Sequence, residues 1–172
     1  MAGCPVELAA LGVRFEPWAA PSIGACSVER PIRMIASGVS PAPPLQTSCA
    51  LARAWARFEP EIRAIARREL DAEPVRTLHM GSHACRRMTG NAGRASLHAS
   101  ARALDLSGFE LVDGTRVLVR EHWYDRGPRG RFLRAVARAA CRRFAMVLTP
   151  RSNRFHHDHI HLDLGPFAGC DA

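Results

Sequence analysis

At 172 residues the chain has the length of one domain, and 47% apolar with 23% charged residues fits an ordinary packed globular fold. No apolar run approaches the ~20 residues that a bilayer-spanning helix needs, which excludes an integral helical membrane protein. The net charge of +8 suits an anionic partner, but the basic residues are all Arg and scattered, with no zinc-finger spacing, helix-turn-helix pattern or aromatic-studded basic strand, so nucleic acid is not expected.

Residues 1–45 are rich in Pro, Gly and Ser and predict loops and short strands of the same domain, fastened by Cys4 and Cys26. From 46 to 70, Leu51, Trp55, Phe58, Ile62 and Ile65 recur at helical spacing. Thr47 or Ser48 can cap that helix, and Pro60 is expected to kink or split it. Residues 75–84 predict a strand entering a loop, and 86–102 a loop with some helical character. Ala103–Leu111 and Arg116–Arg120 alternate as strands around the hairpin signal Asp113-Gly114. Phe132, Val136, Ala139, Ala140 and Phe144 mark a second amphipathic helix. Ala145–Leu148 and Ile160–Leu164 read as two more strands, joined by the polar loop Thr149–Asp158. This order predicts a single α+β domain over 1–172, with a mainly antiparallel sheet and flanking helices.

The six cysteines span the chain without a CxxC pair, which disfavours a zinc-thiolate site and predicts three disulfides in an oxidising compartment. The start Met-Ala-Gly-Cys shows neither a basic n-region nor an apolar h-region, and the expectation is an exported chain trimmed of its signal. Cys85 and Cys141 are the expected pair, because each lies beside an element that should frame the site.

Four of the eight histidines fall in Phe155-His-His-Asp-His-Ile-His-Leu-Asp163. In a strand, residues two apart share a face, so His159, His161 and Asp163 would line one face while Ile160, Leu162 and Leu164 enter the core. Such a face suits a metal, though an exposed polar strand face has the same pattern. Upstream, Ser96-Leu-His98 and Asp105 supply another imidazole and a carboxylate. Three protein ligands leave a fourth position open, as catalytic zinc sites do.

Several separated motifs carry a family resemblance. They are Gly-Ser-His-Ala-Cys-Arg (81–86), Ser96-x-His98, Ala103-x-Asp105, Asp113-Gly114, Trp123, Phe132-Leu133-Arg134, Ala140-Cys141, Val147-Leu148 and His157-Asp-His-Ile-His-Leu-Asp163. Together they resemble the bacterial extensin-like C-terminal domain, and the Ser-x-His, Asp and His-x-His set is similar to that of the LAS metallopeptidases. That group includes lysostaphin-like enzymes and D-Ala-D-Ala peptidases. The resemblance implies a hedgehog/D-Ala-D-Ala peptidase-like fold holding one zinc ion on His98, Asp105 and His161. It also places Asp158 at the general-base position, His159 where endopeptidase members carry another site histidine, and Arg86 where an arginine steadies the substrate carbonyl or carboxylate. Two positions depart from the patterns. Ala101 stands where the LAS pattern has Gly, and His83 where the extensin-like pattern favours Tyr.

The expected function is zinc-dependent hydrolysis of peptide or amide bonds in cell-wall peptidoglycan, in the periplasm or outside the cell, with the basic surface meeting an anionic wall polymer. The rival is a non-catalytic, metal-stabilised wall-binding or structural domain. Its metal would need no base at Asp158, and His156, His157 or His83 could close the fourth position.

Overall fold

The apolar positions sort onto two amphipathic helices and one large sheet. The computed structural model describes residues 3–88 and 91–172. In chain order the elements are α1 (Cys4–Ala10), β1 (Arg14–Pro17), β2 (Pro31–Ala36), β3 (Ser40–Ala42), β4 (Leu45–Ser48), α2 (Cys49–Leu70), β5 (Pro74–His79), β6 (Arg87–Met88), β7 (Asn91–Ala95), β8 (Ala103–Leu111), β9 (Arg116–Leu118), α3 (Val119–His122), α4 (Pro128–Ala140), β10 (Met146–Leu148), β11 (Ile160–Asp163) and β12 (Gly169–Cys170). Single 3-10 turns lie at Gly24–Cys26, Leu97–Ser100 and Arg154–His156. This is one α+β domain, and no helix among the described residues is long and apolar enough to cross a membrane.

Helix α2 buries Leu51, Trp55, Phe58, Ile62 and Ile65, the face its spacing predicts. Ser48 is its cap, accepting the Leu51 N–H at 3.3 Å. Thr47 instead turns its hydroxyl to Ser82 Oγ, 2.9 Å away. Pro60 does not split the helix, which runs unbroken through 22 residues. An internal Pro costs ~3 kcal/mol, and the buried aromatic and aliphatic side chains on both sides of it outweigh that. Helix α4 opens with Pro128, which has no N–H to leave unpaired there. Phe144, just beyond α4, packs edge-on against Phe58 of α2 at 5.8 Å, and Phe132 of α4 packs against Phe109 of β8 at 5.3 Å. The two helices and the sheet therefore share one core.

The large sheet has the order β12-β10-β11-β8-β5-β3, with β9 also paired to β8. Its pairs are antiparallel except β3–β5 and β10–β12 near the two ends. A separate antiparallel sheet joins β1, β2 and β4. In β8 the register skips a residue: Leu78 of β5 faces Gly108, but His79 faces Leu106. Ser107 is thus a bulge, which shifts the alternation by one. Leu104 and Leu106 before it, and Phe109 and Leu111 after it, are all buried in the core. Gly108 has no room for a Cβ, which would overlap the backbone oxygen of Val117 on β9.

Several local expectations need correction. The N-terminal segment contains α1 as well as strands, and 86–102 holds the β6–β7 hairpin before its 3-10 turn; residues 89 and 90 lie outside the described residues. The strand expected over Arg116–Arg120 ends at Leu118 and turns into α3. All six cysteines are paired, as Cys4–Cys49, Cys26–Cys85 and Cys141–Cys170. The Cys85–Cys141 pairing is therefore wrong: Cys141 ends α4 beside β12, whereas Cys85 faces the turn at Gly24–Cys26. Three disulfides fit an oxidising, extracellular or periplasmic environment.

One core side chain is an acid. Glu59 of α2 is 3% exposed. Its carboxylate accepts hydrogen bonds from Ser37 Oγ at 2.5 Å and the Gly38 N–H at 3.0 Å. Burial pushes its carboxyl up to about 7 despite these donors.

Candidate metal centre

Antiparallel register builds the first half of the site. His161 of β11 lies directly opposite Asp105 of β8, so their side chains leave the sheet on the same face, with Cβ atoms about 5 Å apart. Ile160 and Leu162 point the other way and are fully buried. The alternation expected of this strand is therefore what places His161 and Asp163 on the polar face.

His98 arrives from the 3-10 turn Leu97–Ser100. Ser96 Oγ accepts the His98 N–H at 3.3 Å to start the turn. Ala101 closes it in the left-handed region, at φ 52°. A non-glycine residue there carries strain. The position is pinned, because the Ala101 carbonyl accepts from the Ser48 N–H, Ser48 Oγ and Thr47 Oγ1.

Three ligand atoms converge. His98 Nε2 is 3.2 Å from Asp105 Oδ1, His161 Nδ1 is 3.0 Å from the same oxygen, and the two nitrogens are 3.3 Å apart. Metal bonds of 2.0–2.1 Å at tetrahedral angles separate ligand atoms by about 3.3 Å, so the triangle has the right size for a zinc-like ion. The other nitrogens of both rings are also held. His98 Nδ1 donates to the Ser82 carbonyl at 3.0 Å, and His161 Nε2 donates to Asp163 Oδ2 at 3.1 Å. A carbonyl can only accept, so the His98 proton sits on Nδ1 and Nε2 presents a lone pair to the triangle. Two imidazole nitrogens and a carboxylate, preoriented in this way, are a donor set for a divalent cation.

The electrostatics follow. Burial alone would raise the Asp105 carboxyl, but the hydrogen bond from His161, with the His98 and His159 imidazoles beside it, holds it far below the usual carboxylate range. Burial disfavours charge on His161 as well, yet Asp105 and Asp163 flank it and push it up to about 9.

His159 is 9% exposed and lies at the rim, with Nε2 3.5 Å from Asp105 Oδ1. Its Nδ1 bonds Asp158 Oδ1 at 2.9 Å. Burial opposes ionisation of Asp158, but the His159 hydrogen bond and the neighbouring His157 hold its carboxyl below the ordinary value. Asp158 thus orients His159 while the imidazole faces the site. His156, from the 3-10 turn Arg154–His156, sets its ring tilted against His159 at 5.0 Å and edge-on to His161 at 5.9 Å. Burial first, then those two rings, push it down to about 4.

Arg86 is exposed, and its main chain joins the site scaffold: its N–H donates to Ala84 O and its carbonyl accepts from the Ser96 N–H. His83 packs edge-on against Trp18 at 5.1 Å and has a buried Nε2 with no hydrogen-bond partner among the described residues. Sequence reasoning brought together His98, Asp105, His159 and His161, with Asp158 beside them. It did not assign the Ser82 carbonyl, whose role leaves no trace in side-chain identity. Strand alternation placed Asp163 on the right face, but its hydrogen bond to His161 Nε2 was not assigned from the sequence.

No curated protein and no solved structure matches the chain. A family model does, the one described as extensin-like protein C-terminus, and it spans residues 2–171. With nearly the whole sequence covered, the chain belongs to the extensin-like protein C-terminus family.

Proposed function

We propose that the protein is a zinc-dependent hydrolase of peptide or amide bonds, acting on peptidoglycan in the periplasm or outside the cell, and akin to the LAS metallopeptidases with their hedgehog/D-Ala-D-Ala peptidase-like fold. The observation that carries the reading is the triangle of His98 Nε2, Asp105 Oδ1 and His161 Nδ1, with sides of 3.0–3.3 Å and both rings anchored from behind.

When bound, zinc supplies Lewis acidity, polarising a carbonyl and acidifying a water molecule. His98, Asp105 and His161 hold the ion, and Ser82 and Asp163 keep the two rings in their ligating orientation. His159 accepts the proton of the attacking water at Nε2. Asp158 stabilises the resulting imidazolium through Nδ1. Arg86 is the assigned partner for the substrate's carbonyl or carboxylate, and its segment is tied to the site scaffold through the Ser96 N–H and the Cys26–Cys85 disulfide. The arginine-rich surface would meet an anionic wall polymer. Many of its arginines are already in exposed ion pairs, such as Arg63 and Arg67 with Glu73, so this attraction is diffuse rather than a defined groove.

The rival, a metal-stabilised wall-binding domain, is favoured by one observation: His156 lies close enough to His161 to be considered for the fourth position. Zinc stoichiometry and digestion of whole peptidoglycan, with mass analysis of products, separate the two. The hydrolase reading expects about one zinc per chain and release of wall fragments. Asp158→Asn should leave zinc bound and lower that release. A zinc-loaded protein that releases nothing from any wall preparation would establish the rival.

A further inference from the structure

One imidazole of the cluster has no part in the chemistry above. Asn153 Oδ1 caps the turn carrying His156, accepting both the Phe155 N–H at 2.9 Å and, at 2.8 Å, a hydrogen bond from His156 Nδ1. An amide oxygen only accepts, so the His156 proton is fixed on Nδ1 and Nε2 is left as an acceptor. Among the described residues Nε2 has no hydrogen-bond partner, and it is not a buried orphan, so it is open to a ligand. The ring is half-buried and lies against His159 and His161, on the loop that leads into β11.

We propose that His156 is a substrate-orienting residue, whose Nε2 receives a backbone N–H of a peptide beside the bond to be cut. This rests on the hydrolase reading and deepens it: the ligand must be a peptide or amine that can donate a hydrogen bond, so an ester- or ether-linked chain without N–H groups is not taken. Asn153 is the positioning residue that keeps the acceptor lone pair on Nε2. A fourth metal ligand at His156 is the competing role, and it would close the site to substrate.

Soluble peptidoglycan stem peptides serve as the probe, with zinc affinity, peptide affinity and a long-range proton–nitrogen spectrum of the histidine rings as readouts. The spectrum of the zinc-loaded protein should show His156 protonated on Nδ1, with Nε2 moving when peptide is added. His156→Leu should weaken peptide binding about tenfold, the worth of one hydrogen bond to a ligand, with zinc affinity unchanged. His156→Gln, whose amide oxygen can reach the Nε2 position, should restore most of it. Loss of zinc in His156→Leu would make the residue a metal ligand and overturn the proposal. So would unchanged peptide affinity in that variant, or protonation on Nε2 in the wild type. If the zinc-loaded wild type binds no stem peptide, the wall-peptide reading itself falls and takes this assignment with it.

Discussion

Asp105 and Glu59 are both carboxylates taken out of water, and their surroundings drive them in opposite directions. Around Glu59 stand a serine hydroxyl and a backbone N–H, neutral dipoles that soften desolvation without cancelling it, so its carboxyl rises to about 7. Around Asp105 stand His98, His159 and His161, groups able to carry positive charge, and its carboxyl stays ionised. Burial alone does not mark a functional acid. What separates the two is whether the neighbours can take up a cation or a proton.

The strongest way to break this contrast is to remove the charge at the site. Asp105→Asn keeps the shape but should abolish stoichiometric zinc uptake, measured on untagged protein, while the fold persists under its disulfides. Full metal occupancy in this variant would mean that the triangle is not the binding site. Next in size, His159→Ala should cost 10²–10⁴ in peptidoglycan turnover with zinc still bound, the usual worth of general-base assistance. If only Asp158→Asn loses activity, the base is Asp158 and the orientation seen here is not the reactive one.

Glu59 gives the complementary test. Its folded value lies above the unfolded one near 4.5, so the folded chain holds its proton more tightly. The stabilisation is fully present below about pH 4.5 and is lost as pH rises through 7, a swing of about 3 kcal/mol. Glu59→Gln should remove this part of the pH dependence and raise the melting temperature at pH 8 relative to wild type. Equal melting temperatures at pH 8 would show that the core carboxylate is not strained by burial. The smallest effect concerns Ala101. Ala101→Gly relieves the left-handed strain, worth about 1–2 kcal/mol, but adds unfolded-state freedom. A net gain of about 1 kcal/mol or less is expected in denaturant melts, with zinc affinity intact.

Much of this site was legible because strand alternation and chemistry agree in one short segment. Ile160 and Leu162 had to enter the core, which left His161 and Asp163 on the other face. The α2 core face was legible for the same reason, through its helical spacing. Strand β8 shows where such reading ends. Strict alternation would put Phe109 on the face of Asp105, and only the bulge at Ser107, a matter of pairing with β5, returns it to the core. Cysteine pairing was hidden because it depends on which turns meet in space, as Cys26 and Cys85 do. Pro60 does not split α2, because local propensity lost to tertiary packing along that helix.

The pairing of β8 also sets how fast the site can come apart. One edge of this strand is bonded to β5, and the other is divided between β11 and β9, while the Asp105 amide itself donates to Gly81 O and its carbonyl accepts from Met80. Asp105 therefore sits on the same continuously bonded strand as Phe109 in the centre of the core. The Asp105 amide is bonded to Gly81 in the loop beyond β5, so a movement of that loop frees it without unzipping the strand. Its exchange with deuterated water should be faster than that of the core residues of β8 paired to β5 and β9. An ion held there would slow that exchange, and its escape would be timed by the ligands letting go, not by breathing of the strand.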